Sequence, residues 1–307
     1  MSVIRTNRLK KRFGDLTAVH DVNLEVNEGE VFGFLGPNGA GKSTTINMLL
    51  DFIRPTSGEI SILGHEPHSE PRLVREHIGI LPEGYHLYDR LTARKHIQFA
   101  VELEDSSDDP DTVLKRVGLT DSENQTVGEF SKGMRQRLAL GMALVGQPDL
   151  LILDEPSSGL DPNGARLMRQ IVREETDRGT TVFFSSHILE QVEAVCDRVG
   201  IMNEGTLVAV DTVDELCAAS GTTSTLVISV DEVPDTSNIR GIDDVTDVTI
   251  NGTTLRIGCS NSKIKATVIS EIERAGASVI DIDVERTALE DIFVEHTNKT
   301  GAREGKP

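Results

Sequence analysis

Apolar positions along the chain fall into two rhythms, and their alternation predicts the fold. Val31-Phe32-Gly33-Phe34-Leu35, Leu150-Leu151-Ile152-Leu153 and the run from Thr181 to Phe184 are short, continuous and rich in β-branched, aliphatic and aromatic residues, as strands buried on both faces are. Ser131 to Gly146 and Pro162 to Arg178 instead carry apolar residues at helical spacing. The two kinds of segment alternate to about residue 215, which predicts an α/β domain with a mainly parallel sheet wrapped by helices, the three apolar strands lying side by side. Residues 218–223, Ala-Ala-Ser-Gly-Thr-Thr, are small, polar and unpatterned, as a linker is. Beyond them come strand-like Thr225 to Val230, Val245 to Ile250 and Leu255 to Cys259, with Asn251-Gly252 as a hairpin signal between the last two. A helix from about Ser262 to Ala275 and a strand from Ser278 to Val284 complete a small α+β module. The expected division is a main domain over 1–220, an accessory domain over 221–298 and a tail over 299–307.

A chain of 307 residues is long enough for this arrangement. Its apolar runs are a few residues long, far short of the roughly 20 that cross a bilayer as a helix. Arg5, Arg8, Lys10, Lys11 and Arg12 near the N-terminus are not followed by the apolar stretch of a secretory signal, so a cytoplasmic location is expected. Cys196, Cys217 and Cys259 are widely spaced, without a CxxC pair, and read as reduced structural thiols. The formal net charge of −19 argues against sequence-independent binding to nucleic acid. Acidic stretches such as Glu102-Leu103-Glu104-Asp105 and Asp108-Asp109-Pro110-Asp111 belong on solvated faces. Such a surface suits high salt, and the expected result is thermal stability that rises with KCl concentration; a curve peaking at low salt would contradict it.

Gly36-Pro37-Asn38-Gly39-Ala40-Gly41-Lys42-Ser43-Thr44 matches G-x-x-x-x-G-K-[ST] and lies between the strand ending at Leu35 and a helical pattern beginning at Thr45. Glycines let the backbone bend so that successive N–H groups point at phosphate oxygens, and the following helix adds its dipole. Lys42 is expected at the β- and γ-phosphates of ATP, and Ser43 on Mg²⁺ through its hydroxyl. Asp154 and Glu155 end an apolar strand, at the edge where an open α/β sheet presents its ligand. One carboxylate can hold hydrated Mg²⁺ and the next can polarise the attacking water, which assigns Asp154 to the metal and Glu155 to the general base.

Between these motifs, Phe130-Ser131-Lys132-Gly133-Met134-Arg135-Gln136-Arg137 resembles the LSGGQ signature of ABC ATPases at its usual place. The resemblance covers about residues 3 to 215. It implies a P-loop NTPase fold with a helical subdomain at about 85–145, and a head-to-tail homodimer or heterodimer in which Ser131 and Gly133 close on the γ-phosphate of ATP held by the partner. Lys132 and Met134 depart from the consensus glycine and glutamine. Ser158-Gly159-Leu160-Asp161 resembles the D-loop, which brings Asp161 to the ATP interface, and Ser185-Ser186-His187 the switch histidine, with His187 at the γ-phosphate. Phe13 stands where the family places a ring beneath adenine. Ile78-Gly79-Ile80-Leu81-Pro82-Glu83 resembles the Q-loop, with Glu83 in place of glutamine and still able to approach Mg²⁺ and water.

The segment from Arg286 to Phe293 is similar to the closing segment of ABC-2-type exporter ATPases. The resemblance extends to exporters of drugs, lipids or sodium and to ATPases of copper-processing systems. It implies a catalytic subunit peripheral to the inner face of the membrane, driving a separate permease that docks near Glu83 and residues 85 to 100; Tyr85, Leu87 and Tyr88 are candidates for that contact or for the core. A soluble family member acting in translation or DNA repair is the competing class, although neither paired cassettes nor a long coiled coil is present.

Overall fold

β1 (Ser2–Phe13) and β2 (Leu16–Asn27) form an antiparallel hairpin whose inward positions include Ile4, Leu9, Leu24 and Val26. The computed structural model that contains it describes residues 1–213, 215–216, 224–260 and 264–286. β4 (Ser57–Ile62) pairs antiparallel with the other edge of β1, giving a sheet in the order β2-β1-β4. Register shifts along β1 break its alternation of buried and exposed positions, whereas the second half of β2 alternates at Val22, Leu24 and Val26.

The second sheet has the order β5 (Ile78–Leu81), β6 (Leu150–Asp154), β7 (Thr181–Ser186), β3 (Val31–Leu35), β8 (Arg198–Asn203) and β9 (Thr206–Thr212). From β5 to β8 the neighbours run parallel, and β6, β7 and β3 lie side by side as their apolar runs predict. Every residue of those three strands is buried, which explains their lack of a polar face. The Phe32 and Phe183 rings stack at 5.9 Å, and the Phe34 ring lies 5.3 Å from Phe183. Because these strands share one direction, β3, β5, β6 and β7 all end along one edge, and that edge carries the site.

Among the described residues the α-helices that accompany the two sheets are α1 (Lys42–Leu49), α2 (Pro71–Arg75), α3 (Ala93–Leu103), α4 (Pro110–Arg116), α5 (Lys132–Ala143), α6 (Pro162–Asp177) and α7 (Leu189–Glu193). The chain between β5 and β6 folds into α3, α4 and α5, which pack on one another. Thr92, Asp109, Ser131 and Asp161 cap α3, α4, α5 and α6 through their side-chain oxygens, so the helices expected at 131–146 and 162–178 begin after Ser131 and Asp161. Glu175, buried on the inner face of α6, is paired with Arg116 at 2.5 Å and Arg178 at 2.9 Å, as a buried carboxylate requires.

The chain divides into two compact units, Met1–Val210 and Asp211–Pro307. The second contains a four-stranded antiparallel sheet in the order β11 (Val245–Asn251), β12 (Thr254–Cys259), β10 (Ser224–Val230) and β13 (Val279–Arg286). α8 (Ser237–Arg240) and α9 (Lys265–Arg274) contribute Ile239, Val268 and Ile272 to its core with Leu226, Ile228, Leu255 and Ile257. The hairpin loop is Gly252-Thr253, one residue later than Asn251-Gly252, because Asn251 still pairs with Thr254; Gly252 supplies the left-handed φ of +60°. The linker at 218–223, Cys217, the segment from 287 onward and the 299–307 tail lie outside the described residues. Neither Cys196 nor Cys259 is joined in a disulfide, and the buried Cys259 thiol donates to the Ile257 carbonyl at 3.5 Å.

Candidate active site

The loop from Gly36 to Gly41 leaves the end of β3 and turns directly into α1. Two of its glycines are sterically required. Gly41 has φ +102° and a side chain there would lie 2.5 Å from the Ala18 carbonyl; at Gly36 it would lie 2.4 Å from the Met202 carbonyl. No side chain caps α1, which leaves its first-turn N–H groups for a ligand or water. Lys42, the first residue of the helix, is buried, and its Nζ donates to the carbonyls of Gly36 at 2.7 Å and Pro37 at 3.3 Å. These bonds curl the loop around its own lysine. Ala40 is buried beneath it, its carbonyl accepting the Gly205 N–H at 2.9 Å.

Three carboxylates reach the same place from two other strand ends. Asp154 closes β6, and its Oδ1 accepts from the Ser185 hydroxyl at 2.5 Å. Glu155 follows in a left-handed conformation, φ +50°, with its N–H donated to the Ser185 oxygen at 3.0 Å. That turn sends the Glu155 carboxylate back over the loop, where Oε1 lies 3.8 Å from Lys42 Nζ and Oε2 2.8 Å from Nδ1 of His187, the residue after β7. Glu83, beyond β5, accepts the Ser43 hydroxyl at 3.1 Å. Burial lowers the Lys42 pKa, opposed by Glu155, Asp154 and Glu83, while burial raises that of Asp154 against the Ser185 hydrogen bond.

The donors offered to a cation are therefore the oxygens of Ser43, Asp154 and Glu83, a hard set that fits Mg²⁺. Among the described residues no group of three or more His, Cys, Asp or Glu side chains is disposed to cage a metal alone. Mg²⁺ takes few side-chain ligands and is completed by water and phosphate oxygens.

A cavity of about 510 Å³ runs from this cluster along the loop. It is lined by Lys42, Ser43, Glu83, Glu155, Ser158 and His187, by Asn38, Gly39, Gly41 and Thr44 of the loop and the start of α1, and by Phe13, Leu16 and Ala18 of the β1–β2 hairpin. Phe13 is 48% exposed, with Lys11 Nζ 4.9 Å from its ring centroid. Leu16 and Ala18 escape a sequence reading; only the tight turn that pairs Leu16 with Phe13 puts them there. Gly36, Pro37 and Ala40 shape the loop without lining the cavity, and Asp154 lines an adjoining cavity of about 470 Å³ that shares Glu83, Glu155 and Ser158. Ser131, Gly133 and Asp161 line neither. Ser131 and Asp161 cap α5 and α6, and a side chain at Gly133 would stand 3.3 Å from the Gly159 carbonyl, so the start of α5 packs on the 158–161 turn. Tyr85 is half-buried and Tyr88 is exposed.

Residues 19–158 match the family model of the ABC transporter. The chain is 32% identical to the linearmycin resistance ATP-binding protein LnrL of Bacillus subtilis (strain 168), over 97% of this chain and 99% of that protein. It is 42% identical to the bacitracin transport ATP-binding protein BcrA of Bacillus licheniformis, over 67% and 68%. Among solved structures it resembles an ATP-binding subunit of an ABC transporter with a TM-score of 0.66 and 29% identity, over 71% of this chain and 93% of that one. An ATP-binding cassette in a dimeric post-hydrolysis state with ADP and Pi shares the fold at a TM-score of 0.63 and 23% identity, over 68% and 98%.

Proposed function

The chain belongs to the ATP-binding proteins of ABC transporters, and from that premise we propose that it hydrolyses Mg-ATP as one half of a head-to-tail dimer that drives a separate exporter permease. The observation that carries this reading is the Glu155 carboxylate held between the Lys42 ammonium and the His187 ring at the mouth of the phosphate loop. Glu155 is the general base for the attacking water, since phosphoryl transfer needs an oriented nucleophile and positioned charge more than covalent help. Lys42 and the loop N–H groups hold the β- and γ-phosphates, His187 meets the γ-phosphate, and Phe13 underlies adenine together with Leu16. Ser43, Asp154 and Glu83 hold Mg²⁺, which supplies charge neutralisation to the phosphates when bound. Ser131, Gly133 and Asp161 face the partner's nucleotide, which agrees with their position outside this chain's own cavity.

Among the described residues no helix is long and apolar enough to cross a membrane. We place the chain on the cytoplasmic face, bound to that permease. Nucleotide binding would then close the dimer and hydrolysis reopen it, shifting the permease between two states that differ in their affinity for the closed dimer. A relative named for linearmycin resistance and another for bacitracin transport support export of drug-like molecules over lipid, sodium or copper-related cargo. Residues 221–298 are read as an accessory module that takes no part in the chemistry.

The test is to tag the Glu155→Gln variant, extract native membranes gently in Mg-ATP at high salt, and identify what co-purifies. A polytopic membrane protein is the expected result. Ribosomes, DNA-processing proteins or a soluble partner alone would overturn the assignment.

A further inference from the structure

Gln136 is a polar side chain only 5% exposed on α5, and both ends of its amide are used. Its Nε2 donates to the Pro156 carbonyl at 3.0 Å, and its Oε1 accepts from the Tyr85 hydroxyl at 2.9 Å. Chemistry fixes which amide atom faces which partner, because a peptide carbonyl can only accept and so requires the NH₂ group. Tyr85 must then donate, because the amide oxygen it faces can only accept.

Both partners lead to the active site. Pro156 follows Glu155, whose left-handed backbone persists only where surrounding bonds impose it. Three bonds hold that turn: Ser185 on the Glu155 N–H, the Ser158 N–H on the Glu155 carbonyl at 3.0 Å, and Gln136 on the Pro156 carbonyl. The first comes from β7 and the second from the turn itself, whereas Gln136 reaches it from α5. Lys132, four residues earlier and on the same side of the helix, donates to Ser158 Oγ at 3.1 Å, and its stem fills the space above Gly159. On the other flank, Tyr85 stands two residues after Glu83, which holds the Ser43 hydroxyl.

We propose that Gln136 is a positioning residue that sets the aim of Glu155 and, through Tyr85, ties that aim to the placement of the Glu83 segment. The role rests on Glu155 being the general base. A displacement of residues 83–85 pulls on the amide and, through it, on the Pro156 carbonyl. Hydrolysis therefore responds to where Glu83 lies, while the groups that grip the phosphates stay in place.

The experiment compares full-length wild type, Glu155→Gln, Gln136→Leu, Gln136→Glu, Tyr85→Phe and the Tyr85→Phe/Gln136→Leu double variant, measuring kcat, ATP affinity with a fluorescent analogue, and Tm. Gln136→Leu is expected to lower kcat about 10-fold or more with affinity within about threefold, since small misplacements of a reacting group are costly while the phosphate contacts remain. Gln136→Glu keeps an acceptor for Tyr85 but loses the donor to Pro156, and should fall as far. Tyr85→Phe should cost about three- to fivefold and add nothing to Gln136→Leu, because the two act through one amide. A merely structural role would lower affinity and Tm together with kcat and make the pair additive; either outcome, or Gln136→Glu at wild-type turnover, overturns the proposal. Loss of turnover in Glu155→Gln with Gln136→Leu unaffected overturns the positioning role alone. Wild type without ATPase activity, or Glu155→Gln at wild-type turnover, overturns the reading of the site and this role with it.

Discussion

Glu155→Gln is expected to lower steady-state ATP turnover by at least about 10²-fold while ATP affinity stays within about threefold of wild type. The amide has the shape of the carboxylate and can still hydrogen-bond to His187, so the left-handed turn and its bonds to Ser185 and Gln136 have no reason to change. It cannot accept a proton from water, which removes the base. It also removes one negative charge beside Lys42, where the triphosphate brings several more, so binding is not weakened. ATP should therefore remain bound and uncleaved, and the dimer should accumulate in Mg-ATP. Phosphate release, the chemical identity of the bound nucleotide and light scattering together check the three parts. Unchanged turnover would remove Glu155 from the base role, whatever its position.

The parts of this site that can be read along the chain are those built from contiguous residues on a strand end. The phosphate-loop motif needs eight residues in order after a strand and into a helix, and its physics is local: glycines where a side chain would strike Ala18 or Met202, and a lysine that the loop's own carbonyls receive. Likewise the fully buried runs of β3, β6 and β7 announce themselves, because a strand covered on both faces has no polar positions to obscure it. Partners brought together by the order of the strands are another matter. Ser185 reaches Asp154 only because β6 and β7 are neighbours, and nothing in a lone serine 31 residues away signals that bond. His187 and Glu155 meet for the same reason, and without the motifs around it His187 would read as an ordinary helix-start histidine. Gln136 is more deeply hidden: in sequence it is a polar residue within an amphipathic helix, and only burial shows that its amide must be satisfied on both sides. Ser131 and Asp161 show the reverse. Their caps are local and legible, but the role proposed for them at a second subunit's nucleotide would leave no mark on the cavity of one chain.

Lys42→Ala is expected to weaken ATP binding by about 10- to 100-fold, the worth of charge-assisted hydrogen bonds to the phosphates, and to lower turnover by a further factor of about 10² to 10³. The two losses have one origin. Lys42 is buried and faces Glu155, Asp154 and Glu83, whose charges oppose the burial that lowers its pKa. With the ammonium gone, three carboxylates confront an anionic triphosphate without a fixed cation between them, so repulsion is added to the lost attraction. The Gly36 and Pro37 carbonyls also lose the donor that curls the loop, which loosens the N–H groups meant for the same phosphates. The transition state places more charge on the atoms Lys42 would touch, so kcat must fall along with affinity. This pattern separates the two residues: Glu155→Gln should hold ATP and not cleave it, and Lys42→Ala should do neither well. Equilibrium binding of a fluorescent ATP analogue, followed by phosphate release at saturating ATP, resolves the two factors. Affinity within about threefold of wild type would show that the backbone N–H groups alone bind the phosphates and that Lys42 is the loop's internal brace.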